Sequence, residues 1–198
     1  MSKAKNTSEE MKKHPQYQMR LRKEIRVVPS KEWYQIKIAD ATPPIVDANA
    51  LDEEQALLSK VRHNRLIDMF FGVRAYSLQS HFRATIPGIG ELETDEVYIG
   101  VRNTGQQFVI PVRAKRKKDR ISNWQIERDL ALCRHTYPNL MPRPVVVQTI
   151  TTDDGEVIVL FEFIAIGGEI KLNEQKHFRL VSADQMKANY LKKKALSQ

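Results

Sequence analysis

The sequence predicts a mixed α/β domain, with helices laid on a mixed β-sheet, and three observations carry that expectation. Apolar residues at helical spacing (Leu57, Leu58, Val61, Ile67, Phe70) follow Asp52, a residue type that caps helix starts. Two pairs of apolar runs each flank a turn signal: "VYIGV" and "FVIPV" around "RNTGQ", then "RPVVVQTI" and "VIVLFEFIA" around "TTDDGE". Between the two pairs lies "SNWQIERDLALCRHTYP", which puts Ile126, Leu130 and Cys133 on one helical stripe. The order helix, strands, helix, strands, helix fits neither a four-helix bundle nor an all-β barrel.

The elements follow in order. Residues 1–25 are highly charged with little apolar pattern, and are expected to form a basic, mobile or loosely helical arm. A single domain is expected over 26–182. It opens with a strand in "EWYQIKIAD", and "ATPPIVDANALD", broken by two prolines, serves as a connector. One helix is expected from Asp52 to about Phe71, with Gly72 placed to end it. "SHFRATIPGIGELETDEVYIGVRNTGQQFVIPVRAK" reads as β structure, although Pro111 cannot donate to a ladder and calls for an edge or a bulge. The runs "RPVVVQTI" and "VIVLFEFIA" are so apolar that both faces should be covered. "KHFRLVS" is a final strand, and a basic helix or tail occupies 183–198.

Lys and Arg number 32 against 24 acids, a formal charge of +8, which favours polyanionic partners and nucleic acid above all. The single cysteine, Cys133, excludes an intrachain disulfide and a Cys-based zinc site. The 5 histidines show no metal-ligand spacing. No apolar run is long enough to span a membrane, and the first residues lack the apolar core of a secretory signal, so a cytoplasmic location is expected. "GIGE" lacks the strand and helix of a dinucleotide loop. Tyr76, Tyr98 and Trp124 read as core or cap residues.

The charged residues of the first hairpin form a constellation. Glu93 and Asp95 share one face of a strand, and Arg113 and Lys115 share one face of the next. Folding the hairpin about Gly105 sets Asp95 opposite Lys115, within a register step. A cross-strand ion pair at a sheet edge would account for this and is worth little. The same groups also suit metal-assisted phosphodiester hydrolysis. Mg²⁺ takes carboxylate and phosphate oxygens, and a neighbouring lysine orients water or stabilises charge.

The segments "GELETDEVYIGV", "FVIPVRAK" and "NWQIERDLAL" resemble the core of the PD-(D/E)XK, or restriction-endonuclease-like, nuclease superfamily. With "RAYSLQSHFR" ahead of "ETDE", the chain looks like a group of bacterial endonuclease-like proteins within it. The resemblance spans about residues 50–165, its core motif 91–130. It implies a restriction-endonuclease-like core and a Mg²⁺-dependent DNA endonuclease, with Mn²⁺ as substitute, in bacterial defence or repair. Asp95 matches the metal-binding aspartate, Lys115 the catalytic lysine and Gln125 the glutamine of the following helix. Double-stranded DNA is the implied partner, and double-strand cutting would suit a homodimer or larger complex.

One position departs from the pattern. The second acid, two residues before the lysine, is Arg113, which repels a cation. Either another carboxylate substitutes, or Mg²⁺ binds weakly, or the chain is a degenerate nucleic-acid-binding protein that retains the fold. Glu93 ranks first as substitute because the pleat fixes its face; Glu91, and Glu53 and Glu54 on the first long helix, follow. Gln125 has a second reading, as the third helical residue of a capping box opened by Ser122. For phosphate contacts the candidates are Arg62, Arg65, Arg74, Arg83, Arg116, Lys117, Lys118 and Arg120, any of which could equally be a solvated surface charge.

Overall fold

The computed structural model describes residues 24–25, 34–48 and 52–188; the N-terminal arm, apart from 24–25, and most of the basic tail lie outside them. The strands are β1 (Glu24–Ile25), β2 (Gln35–Ala39), β3 (Arg74–Ile86), β4 (Gly90–Val101), β5 (Gln107–Lys115), β6 (Ile121–Ser122), β7 (Met141–Pro142), β8 (Val145–Thr152), β9 (Gly155–Ile166) and β10 (Glu169–Val181). The helices are α1 (Pro44–Ala48), α2 (Glu53–His63), α3 (Leu66–Phe71) and α4 (Asn123–Thr136). Residues 183–188 are also helical.

The main sheet runs β2-β10-β9-β8-β5-β4-β3, with β7 beside β5. Pairing is parallel at β2/β10 and β5/β8 and antiparallel elsewhere along this path. The fold is therefore a mixed, open sheet flanked by helices. On one face, Leu57, Leu58 and Val61 of α2 and Ile67 and Phe70 of α3 pack on Ile110, Val112, Val147 and Leu160. On the other, Ile126 and Leu130 of α4 pack on Val146, Val159, Phe161 and Phe163. Strands β8 and β9 are thus covered on both sides, as their continuous apolar runs require.

Local chemistry explains the boundaries. Asp52 accepts a hydrogen bond from the Gln55 amide at 2.8 Å and caps α2. Gly72 ends α3 in the left-handed region at φ 64°. The single helix expected between them is interrupted. Buried Asn64 turns its side chain to the preceding connector, accepting from Ala41 N at 2.7 Å and donating to Thr42 Oγ1 at 2.9 Å. Arg65 then takes a left-handed conformation at φ 51°. Part of the proline-rich connector folds as α1, with Pro44 at its first position, where a missing N–H costs nothing.

Pro111 sits mid-sheet opposite Val97, with no bulge. It falls in the gap between two parallel ladders of β5, with β7 at Phe108 and Val109 and with β8 from Val112 onward. A residue without an N–H costs least there. Gly100 serves packing: an added Cβ would lie 2.5 Å from the Phe108 ring. Gly100→Ala should therefore cost about 1–3 kcal/mol, the scale of overpacking, measured by urea unfolding.

Candidate active site

The β4–β5 ladder runs from Val101↔Gln107 to Glu96↔Val112, and no pairing continues beyond it although both strands do. Asp95 stands where they part. Its Oδ2 accepts from the Ala114 amide at 2.9 Å, so a side chain takes over where the ladder stops. The register differs from the expected one by a pleat repeat: Arg113, not Lys115, faces Asp95, with Nη1 at 3.8 Å from Oδ1. The cause is the turn. Gly105 supplies its left-handed residue at φ 82°, while the hydrogen bond from Arg102 N to Gln106 O centres the loop one residue earlier, on Thr104.

Arg113 is held from α4. Its Nε and Nη2 each donate to the carboxylate of Asp129 at 2.7 Å, and Nη2 also donates to the Glu93 carbonyl. Burial pushes the Asp129 carboxyl up to about 6; Arg113 pulls the other way and Asp95 adds to the rise. The guanidinium is thus bound to the helix acid and only approaches Asp95. Nothing in the local sequence marks Asp129 as its partner.

The acids rearrange relative to expectation. Glu93 turns toward β3, accepting from Arg83 Nε at 2.9 Å and lying 3.3 Å from His81 Nδ1. Burial favours its proton, but these partners outweigh it and hold the carboxyl below its usual range. Glu54, on the first turn of α2, is the acid coupled to the fork. Its carboxyl is raised first by burial and then by the charge of Asp95, while Lys115 and Arg116 pull it down. Asp95, Glu54 and Lys115 therefore share one electrostatic neighbourhood. Among the described residues, no group of three His, Cys, Asp or Glu side chains is close enough to hold a metal alone.

Lys115 lines a 320 Å³ cavity on the α2 side, with Lys60, Arg116, Lys117, Glu53 and Glu156 among its walls. The loop that follows is ordered. Buried Gln148 of β8 donates to the carbonyls of Arg116 and Asp119 at 2.7 and 2.9 Å, and Lys117 pairs with Glu156. Lys118 is exposed on the same loop and Arg120 at its end. Gln148 went unremarked in the sequence because its role is set by a loop 29 to 32 residues away.

Gln125 lies elsewhere. It lines a second cavity, of 290 Å³, with Arg113, Trp124 and Arg128. The capping box does not form, since Ser122 makes no side-chain cap bond to α4. Of the other basic candidates, Arg62 donates to buried Glu96 at 2.9 Å, Arg65 pairs with Asp68, and Arg83 meets Glu93. Arg74 is exposed at the start of β3. Tyr98 is buried as expected of a core residue, whereas Tyr76 and Trp124 are exposed.

No described helix is long and apolar enough to cross a membrane. No protein-family model matches the chain, and comparisons with curated proteins and with solved structures likewise return no match.

Proposed function

We propose that the chain is a Mg²⁺-dependent nuclease with a restriction-endonuclease-like core, acting on DNA in defence or repair. The observation that carries this reading is Asp95 held by the Ala114 amide at 2.9 Å where β4 and β5 separate, one residue from Lys115, with the Asp95 charge felt by Glu54 of α2. Burial and then the Asp95 charge raise the proton affinity of Glu54, so a cation placed beside the two carboxylates is favoured. Mg²⁺ takes one or two protein carboxylates and fills its shell with water and phosphate oxygens, which fits the donor set Asp95 and Glu54. When bound, it acidifies a water and offsets charge on the reacting phosphate. Lys115 faces the neighbouring cavity and supplies positive charge to a phosphate oxygen. The basic loop from Arg116 to Arg120 lies beside it, suited to the flanking backbone. Asp129 binds the Arg113 charge and so spares Asp95.

A cleavage assay on plasmid DNA tests the proposal. Wild-type protein is expected to cut with Mg²⁺ or Mn²⁺, and Asp95→Ala and Lys115→Ala to lose that activity. Equal cutting by Asp95→Ala would sink it.

A second reading is favoured by Arg113 itself, which brings a fixed positive charge within 3.8 Å of Asp95. In that case the chain binds nucleic acid without cutting it. DNA retarded but intact across Mg²⁺, Mn²⁺ and Ca²⁺, with no metal uptake by calorimetry, would establish it. Cutting gained in Arg113→Gln would trace the loss to that residue.

A further inference from the structure

We propose that Trp124 and Arg128 of α4 form a seat for one unpaired nucleobase, beside the fork that carries Asp95. Trp124, on the first turn of α4, is 48% exposed. The Arg128 guanidinium stacks over its ring at 4.3 Å from the centroid and is steadied by donating to the Glu91 carbonyl at 3.0 Å. Stacked this way, Arg128 covers one face of the indole, and the pair offers the other face of the ring and the outer face of the guanidinium to a further planar group. They line the 290 Å³ cavity, whose other walls include Gln125, Arg113 and the acids Glu91 and Glu93.

The charge of this cavity selects a base rather than a phosphate. Its two carboxylates, Glu91 and Glu93, offset the guanidiniums of Arg113 and Arg128, so it holds no excess positive charge for the polyanionic backbone, which belongs with the lysine-rich cavity across the fork. A neutral base with N–H donors meets an aromatic face, a carboxylate acceptor in Glu91 and an amide in Gln125 able to give and to accept. Arg113 joins the two regions, because it lines this cavity and also approaches Asp95. A strand crossing the fork would therefore lay a base on Trp124 only where pairing is broken, by strand opening or by a single-stranded substrate.

This inference rests on the nucleic-acid reading, in its cutting or its non-cutting form. The test uses the full chain, which has only 2 tryptophans, in EDTA at low salt. In a Trp33→Phe protein Trp124 is the sole emitter, and binding of a single-stranded oligonucleotide is expected to quench it. Trp124→Ala should weaken single-strand binding by about 5- to 150-fold, and Trp124→Phe should restore most of the affinity. A fully paired duplex should bind both variants alike. Thermal unfolding of Trp124→Ala shows whether the variant is folded; if it is not, Trp124→Ser and Arg128→Ala carry the affinity comparison. Equal single-strand affinity in the folded variants, or unchanged Trp124 emission on binding, overturns the base seat and leaves the nucleic-acid reading standing. If wild-type protein binds no DNA or RNA even at low salt, both fall together.

Discussion

Glu54→Ala is expected to lose metal-dependent cleavage as fully as Asp95→Ala, while Glu93→Ala keeps it within a few-fold. The loss should be on the order of 10²–10³-fold, the scale of removing one preorganised charge from a reacting centre. The two acids differ in their surroundings. Glu93 is committed to Arg83 and His81 on the edge strand, so its charge is already answered. Glu54 shares its field with Asp95 and Lys115, and its carboxyl is raised first by burial and then by the Asp95 charge. Single-turnover cleavage rates in Mg²⁺ for the three alanine variants, with folding checked by circular dichroism, decide the matter. A dead Glu93→Ala with an active Glu54→Ala would move the second ligand back to β4. The pH profile adds a separate check. Because burial and the Asp95 charge raise Glu54, its ionisation is completed at higher pH than for an ordinary glutamate, and metal affinity should keep climbing until it is. Glu54→Gln should remove that part of the rise.

Chain-local signals made much of the fold legible, and the rest depended on contacts between distant segments. The two hairpins, the Asp52 cap and the Gly72 stop each rest on adjacent residues, and each lies where the pattern puts it. The break at Asn64 was not legible, because it depends on hydrogen bonds to a connector more than 20 residues upstream. The same division holds at the site. Asp95 and Lys115 could be placed on neighbouring strands from their hairpin alone. Their exact pairing could not, since Gly105 marks the left-handed residue of the turn rather than its centre. Glu54 was one of several acids in the sequence, and only the packing of α2 on β5 raises it above Glu93. Asp129 has no local mark within "QIERDLAL", and it is almost wholly buried because α4 turns it toward Arg113.

Breaking the Arg113–Asp129 pair from one side is expected to destabilise the fold by about 3–5 kcal/mol, and removing both partners together to restore most of it. Asp129→Leu leaves a guanidinium whose side chain is only 12% exposed with Asp95, at 3.8 Å, as its nearest remaining carboxylate. Arg113→Met leaves a buried carboxylate that will take up a proton. In Arg113→Met/Asp129→Leu neither charge remains, and apolar groups of similar volume take the place of the pair. Urea unfolding of the four proteins gives the coupling directly. The pH dependence has a definite sign. The folded-state value of Asp129, about 6, lies above its unfolded value near 3.8, so the folded chain holds this proton more tightly. That contribution to stability is fully present below the unfolded value and is lost as pH rises through about 6. Asp129→Asn removes the titration, so its stability relative to wild type should improve as pH rises across that window. A difference that stays flat between the two values would show that Arg113 keeps Asp129 ionised throughout. The pair would then be a permanent structural bridge rather than a partly protonated one. The cleavage assay on Asp129→Asn then carries the point to function. If Asp129 spares Asp95 by binding the arginine, loosening it frees Arg113 to close on Asp95, and metal-dependent activity should fall even where the fold survives.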